Sequence, residues 1–245
     1  MTIFTLKYLQ LNKAFFNWSI GKDSALALYK VLQNKEYAID TLVTTVNKKF
    51  NRVSMHGVPE TLLDEQAKQL GIPLHKIYFP EEVSMESYSA IMKTNLEKLV
   101  DEDYKFSIFG DIFLEDLKKF REDKLEELNL KGVFPLCKID SKNVIDEFLK
   151  LGFKAITVSV NAKLLDENFV GRVIDEQFIK DLPPNIDVCG ENGEFHTFVF
   201  DGPIFKKPIS FEIGEKVLKN YKSDESDTWD SSFWYCDLKP KKGFS

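Results

Sequence analysis

Phe15-Phe16-Asn17-Trp18-Ser19-Ile20-Gly21-Lys22-Asp23-Ser24-Ala25-Leu26-Ala27-Leu28 runs from an apolar segment through a short polar loop straight into a helical pattern. Ala25, Leu28, Tyr29 and Leu32 fall at i, i+3, i+4 and i+7, the spacing of one helix face. The stretch reads as strand, tight loop, helix, with Ser19, Gly21, Lys22, Asp23 and Ser24 in the loop. A helix start leaves N–H groups without intrahelical partners, and the helix dipole adds partial positive charge there. A phosphate suits such a place. Gly21 removes a Cβ from the approach, Lys22 adds a mobile cation, and Ser19 and Ser24 add hydroxyl donors. The G-x-x-x-x-G-K-[ST] pattern of a Walker loop is not met, because the loop has a single glycine and Asp23 follows the lysine. Taken alone, the residues also allow a plain strand-to-helix turn with a surface lysine.

Outward from this loop the chain keeps alternating. Residues 13–19 read as the first strand and 22–34 as the first helix. Residues 38–46 are rich in β-branched side chains and read as a strand. A polar segment, 47–57, precedes Pro59, which suits the first turn of a helix. Leu63, Ala67 and Leu70 carry that helix to Gly71, which ends it. Residues 74–79 form a short strand, and Ser84 caps a helix whose Tyr88, Met92, Leu96 and Leu99 share a face. Strands at 105–109, 132–136 and 154–160 then alternate with helices at 115–128 and 141–151. The alternation predicts an α/β fold, a parallel sheet with helices on both faces.

After Val160 the rhythm changes. Residues 161–171 read as loop and 171–180 as a short helix, broken by Leu182-Pro183-Pro184-Asn185. Residues 188–200, 209–213 and 231–238 read as strands. A boundary near 140 separates a domain over 1–140 from a smaller α+β domain over 141–245. Residues 223–230 read as an acidic solvated loop and 239–245 as a frayed basic tail.

The 245 residues are 43% hydrophobic and include 21 Phe, ample for a sizeable core. With 33 basic and 39 acidic side chains the net charge is −6, which speaks against a broad nucleic-acid footprint. Cys137, Cys189 and Cys236 are far apart and form no C-x-x-C pair, which speaks against a structural zinc site and for a reducing compartment. Residues 1–13 lack the apolar core and cleavage site of a signal peptide, and no apolar run approaches the ~20 residues that span a bilayer. The expectation is a soluble, cytoplasmic protein.

On an open parallel sheet, ligands bind beyond the carboxyl ends of the strands, where strand order reverses. Three segments lie at such ends: residues 19–24, residues 47–57 and Gly110-Asp111. His56-Gly57-Val58-Pro59 puts an imidazole beside a bound nucleotide, or is a helix-start turn with an exposed histidine. Gly110-Asp111-Ile112 offers a carboxylate for Mg²⁺ or a substrate amine, or an N-terminal helix cap. Further on, Cys189-Gly190-Glu191-Asn192-Gly193-Glu194-Phe195-His196 holds an Asn-Gly turn. Glu194, His196, Phe198 and Phe200 then fall on one face of a period-two strand. Glu191, Glu194 and His196 are candidate acid/base or substrate-orienting groups, because burial pushes a carboxyl toward the catalytic range. The bland reading is a solvated turn with His196 at the core's edge. No third ligand is in view, so no metal site is read from these residues.

Ser19-Ile20-Gly21-Lys22-Asp23-Ser24 resembles the PP-loop, S-G-G-K-D-S, of enzymes that split ATP between its α- and β-phosphates. With His56-Gly57-Val58-Pro59, Gly110-Asp111-Ile112 and Cys189-Gly190-Glu191-Asn192-Gly193-Glu194-Phe195 in this order, the chain resembles the diphthine–ammonia ligase family over roughly residues 13–205. The resemblance implies a HUP-type nucleotide-binding domain and a smaller substrate domain. It implies adenylylation of a carboxylate, loss of pyrophosphate, and displacement of AMP by ammonia, with ATP and Mg²⁺ required. In the family's named reaction the carboxylate belongs to diphthine on elongation factor 2; a smaller acid is the other acceptor. Carried onto this chain, Ser19, Gly21, Lys22, Asp23 and Ser24 hold phosphates, and His56, Gly57 and Gly110 line the nucleotide pocket. Lys22, Asp111, Glu191 and Glu194 are the catalytic set, and Glu191, Asn192, Glu194 and His196 face the substrate. The resemblance leaves room for a homodimer.

Three other readings stand beside it. A PP-loop tRNA-modifying enzyme predicts a basic surface and reactive or zinc-binding cysteines, which the charge and the missing C-x-x-C oppose. A glutamine-dependent ligase predicts an amidotransferase domain, which is not evident. A non-enzymatic nucleotide-binding regulator keeps the loop without needing Glu191, Glu194 and His196 to face it.

Overall fold

The computed structural model describes residues 11–112, 115–221 and 231–241. The acidic stretch 223–230, the tail beyond 241 and the first ten residues lie outside the described residues.

The first part of the chain runs β1 (Asn12–Asn17), α1 (Lys22–Asn34), β2 (Tyr37–Asn47), β3 (Arg52–Val53), α2 (Glu60–Leu70), β4 (Leu74–Phe79), α3 (Met85–Asp101), β5 (Phe106–Ile108), α4 (Glu115–Glu126) and β6 (Lys131–Val133). β1 lies between β2 and β5, both parallel to it. β4 adds in parallel to β2, and β6 adds in parallel to β5. The two-residue β3 runs antiparallel, against the end of β2. The chain thus moves to one side of β1, then returns to the other. The reversal opens a crevice at the carboxyl end of β1, the place where such sheets bind ligands.

Side-chain alternation sorts the two faces. Ala14 and Phe16 of β1, with Leu42 and Val46 of β2, pack in one core with α1 and α2. Phe15 and Val43 point the other way, into a core shared with Leu96 and Leu99 of α3 and Leu125 of α4. Helices therefore cover both faces of a parallel sheet, the arrangement expected from the alternating pattern. Helix starts and stops follow local chemistry. The Ser84 hydroxyl accepts from the Ser87 amide at 3.2 Å, and Gly71 closes α2 in the left-handed region at φ 72°.

One expectation for α1 fails. Leu32 is 38% exposed, whereas Leu26, Ala27 and Val31 are buried. The helix has no simple solvent face, because β2 packs on one side and the second part of the chain packs on another.

That second part runs α5 (Ser141–Lys150), β7 (Lys154–Asn161), a 3-10 turn (Glu167–Phe169), α6 (Glu176–Asp181), β8 (Phe195–Asp201), β9 (Phe211–Tyr221) and β10 (Ser231–Pro240). The strands form an antiparallel sheet in the order β8-β7-β10-β9. The strand expected over 188–200 starts only at Phe195, since residues 188–194 form the turn before it. The strand expected over 209–213 is instead eleven residues long and pairs with β10. Its charged, half-exposed residues hide the pattern, and the pairing partner lies beyond the 223–230 stretch. The helix expected over 171–180 is confined to α6, where Asp175 caps the Phe178 amide at 2.7 Å.

The two sheets are tied together through Gln66 of α2, which is fully buried. Its Oε1 accepts from Trp18 Nε1 at 2.8 Å, and its Nε2 donates to the carbonyls of Ile20 at 3.1 Å and Val199 at 2.7 Å. Gln66→Leu removes three buried hydrogen bonds at once, those to Trp18 Nε1 and to the Ile20 and Val199 carbonyls. We predict a loss of about 3 kcal/mol in denaturant unfolding, against a near-neutral effect for substitution of the exposed Gln69 neighbour Lys68.

Candidate active site

The loop after β1 is fixed before any side chain reaches into the crevice. Asn17 Nδ2 donates to Ser107 Oγ and to the Ile108 carbonyl, both at 2.9 Å, which ties the ends of β1 and β5. Ile20 has φ 72°, a conformation that costs a β-branched residue roughly 1–3 kcal/mol. It stands where the PP-loop pattern has glycine. The surroundings hold it there: its side chain is buried in the core and its carbonyl accepts from Gln66 Nε2 and, at 3.0 Å, from the Val199 amide. The isoleucine side chain therefore fills the core and leaves the crevice side of the loop open.

Gly21 caps α1 without a side-chain hydrogen bond of its own. The Lys22 amide instead donates to Thr197 Oγ1 of β8 at 3.0 Å. A Cβ on Gly21 would stand 3.3 Å from His56 Nε2 and from the Thr197 carbonyl. Gly110 is tighter still, since a Cβ there would lie 2.7 Å from Ser24 Cα. The loop and the end of β5 thus touch backbone to backbone, and glycine is the residue that permits it. Ser24 Oγ bridges the Gly21 carbonyl and Ser19 Oγ, at 3.0 Å each.

Charge converges on the same point. Lys22 is buried, and its ammonium donates to both Asp23 oxygens, at 2.7 and 2.8 Å, and to the Cys189 carbonyl. Burial alone would lower its pKa, but Asp23, with Cys189 and Glu191, raises it above the usual lysine value. Glu191 is pushed up to about 7 by burial, then by Asp23, with Lys22 pulling the other way. Asp111 is raised by burial, although Arg121 pairs with it and opposes the shift. The Arg121 guanidinium also lies 4.4 Å over the Phe109 ring, which fixes its direction. His56 and His196 are lowered to about 3 and about 4, chiefly by burial. Both are neutral near neutral pH. The Cys189 thiol is pushed up to about 12 by burial, so it is protonated.

Two adjoining cavities share this centre, one of about 620 Å³ and one of about 200 Å³. Ser19, Asp23, His56, Asp111, Glu191 and His196 line both. Ser24 and Gly110 line the larger one only, and Gly21 and Lys22 the smaller. Among the expected site residues, Gly57, Asn192 and Glu194 line neither. Gly57 backs onto the Tyr235 ring. Glu194 is buried, and its carboxylate accepts from the Asp187 amide at 3.0 Å, the Asn192 amide at 2.8 Å and Asn192 Nδ2 at 3.0 Å. Asn192 and Glu194 therefore close the turn that presents Glu191. Of the face expected from the spacing, Glu194 lies in the turn before β8, and Phe198 and Phe200 on β8 both pack on the Phe211 ring.

The sequence reading missed Thr197, Gln66 and Arg121. Thr197 looks like any β-former in a strand, and Arg121 like any charge on a solvated helix. Only the long-range contacts single them out.

Sequence models of the diphthamide synthase N-terminal and C-terminal domains match residues 12–132 and 140–242, end to end along the chain. The chain belongs to this family. It is 32% identical over 110 residues to a diphthine–ammonia ligase of Bos taurus, and 31% identical over 111 residues to one of Homo sapiens. These alignments span 42% and 43% of this chain, and about two fifths of the relatives, 41% and 42%. A predicted subunit of a tRNA methyltransferase from Methanocaldococcus jannaschii is similar in structure, with a TM-score of 0.42 and 19% identity, over 59% of this chain and 80% of that one. Among the described residues no helix is long and apolar enough to cross a membrane.

The depressed His196 gives a testable sign. Its unfolded form takes up a proton near 6.5 and its folded form only near 4. Its neutral, buried form therefore contributes stability that is complete above 6.5 and is lost as pH falls toward 4. Denaturant unfolding of His196→Phe and wild type across that window should show the variant gaining relative stability as pH falls. A constant difference would contradict the burial of a neutral imidazole.

Proposed function

We propose that this chain is an ATP-dependent, AMP-forming ligase that joins ammonia to a carboxylate. The observation that carries the reading is the meeting of three things at one crevice: the α1 N-terminus, the Lys22 ammonium, and the carboxylates of Asp23, Asp111 and Glu191. A helix start and a lysine suit phosphates. Carboxylates beside them suit a cation that accompanies phosphates; Asp23 raises the pKa of Asp111, and both raise that of Glu191, so a bound cation relieves their repulsion. Asp23 and Asp111 are the residues that would hold Mg²⁺, which supplies charge neutralisation on departing pyrophosphate.

The remaining work falls to the chain. Lys22 and the amides at the start of α1 bind the outer phosphates and stabilise charge as the α–β bond breaks. Arg121, which lines the larger cavity beside Asp111, would hold the α-phosphate or the acceptor carboxylate. The acceptor oxygen attacks the α-phosphorus, and pyrophosphate leaves. Ammonia then forms the C–N bond as the C–O bond to AMP breaks. Glu191, with its carboxyl near 7, is suited to take the proton that ammonium gives up. Diphthine, named for the relatives, is the first acceptor to test.

ATP labelled at the α-phosphate should be converted to AMP when diphthine-bearing elongation factor 2 and ammonium are supplied. Lys22→Ala should lower that rate roughly 100-fold or more. Formation of ADP, or a rate that Lys22→Ala leaves unchanged, would overturn the reading.

A further inference from the structure

The turn that carries Glu191 is wrapped around one aspartate. The consecutive amides of Cys189, Gly190 and Glu191 all donate to Asp187. Cys189 at 2.8 Å and Glu191 at 3.3 Å donate to its Oδ1, and Gly190 at 2.9 Å donates to its carbonyl. The Asp187 amide in turn donates to Glu194 Oε1 at 3.0 Å. Gly190 permits the convergence: it takes φ 75°, and a Cβ there would stand 2.8 Å from the Phe195 carbonyl. Asp187 itself lines neither cavity.

This arrangement decides what the turn offers the crevice. Its amides are engaged inward, on Asp187. Outward it presents the Cys189 carbonyl, which accepts from the Lys22 ammonium, and the Glu191 carboxyl, which lines both cavities. An aspartate that accepts from amides two to four residues on fixes a turn locally, without help from the core. Glu194 accepts from the Asp187 and Asn192 amides, at the two ends of the turn. Asp187 accepts from the Glu191 amide itself, so it acts closest to the group that faces the cavities.

We propose that Asp187 is the positioning residue for Glu191: by gathering the amides of residues 189–191 it holds the Glu191 side chain at the wall of both cavities. What the placed carboxyl does in turnover rests on the ligase reading; the placement does not. The groups around Glu191 are Lys22 and Asp23 on α1, Asp111 beyond β5 with its partner Arg121 on α4, His56 in the turn after β3, His196 on β8, and Cys189 and Asp187 in its own turn. Burial and then Asp23 raise the Glu191 carboxyl, Lys22 opposes them, and Asp187 and Asp111 add to the rise. The two imidazoles are neutral and the thiol is protonated. Replacing Asp187 therefore lowers the Glu191 midpoint in two separable ways. It removes a negative neighbour, and it lets the carboxyl leave its buried place.

The test follows the Glu191 carboxyl carbon by ¹³C resonance in the full chain, assigned as the signal that Glu191→Gln removes. In the wild type it should titrate at about 7. Asp187→Asn removes the charge but keeps an oxygen for both amides; Asp187→Ala removes the oxygen as well. The expected midpoints fall in the order wild type, Asn, Ala, with the alanine variant lowest. Hydrogen exchange of the Cys189 and Glu191 amides should be faster in the alanine variant and close to wild type in the asparagine variant. Equal midpoints in the two variants, or unchanged amide exchange in the alanine variant, would overturn the assignment. If the alanine variant does not unfold cooperatively, Asp187→Ser, with one short hydroxyl for the amides, is read by the same criteria. The titration needs neither ATP nor an acceptor, so the placement of Glu191 and the ligase reading can fail separately.

Discussion

The Val199 amide donates to the Ile20 carbonyl, and Thr197 Oγ1 accepts from the Lys22 amide. These two hydrogen bonds reach across the sequence from β8 to the start of α1, and the site depends on them. They hold a β-branched residue at positive φ in a loop where the backbone would otherwise relax. Gln66 reinforces the same junction from α2. The loop is therefore a composite, built by the parallel sheet and finished by the antiparallel one. Anything that moves β8 also moves the amides that face the crevice.

The composite explains how so many charges tolerate one another. Lys22 sits between Asp23 and the Cys189 carbonyl, so the cation of the first part of the chain is neutralised partly by the second. The turn that supplies Cys189 and Glu191 is closed by Glu194, whose carboxylate is satisfied by amides inside the turn. One glutamate is thus spent on architecture so that its neighbour can face the cavity with a raised pKa. Burial raises the carboxyl of Glu191 and, against the pull of Arg121, that of Asp111.

Much of this was legible in the sequence, for a physical reason. Parallel strands buried on both faces read as short apolar runs, and helices between them read as caps and periodic faces. The loop at 19–24, Gly110-Asp111 and the Asn-Gly turn each carry local signals strong enough to find. The buried girth of α1 was not legible, because it depends on what packs against the helix from more than a hundred residues away. The long β9–β10 hairpin was hidden by exposed, charged residues whose pairing is remote. Glu191 and Glu194 look equivalent in the sequence, and only the amide hydrogen bonds separate presenter from presented. Thr197 carries no local mark at all, since its role exists only once β8 meets the loop.

The dependence of the loop on β8 is tested most directly by ATP binding to Thr197→Val, measured by calorimetry with magnesium present. Valine keeps the shape of threonine and removes only the acceptor of the Lys22 amide. The account predicts roughly tenfold weaker binding, the size expected for one misplaced hydrogen bond of about 1.4 kcal/mol, in a protein that still unfolds cooperatively. Wild-type affinity in that variant would mean that the loop holds its own shape and that the second sheet is only its neighbour.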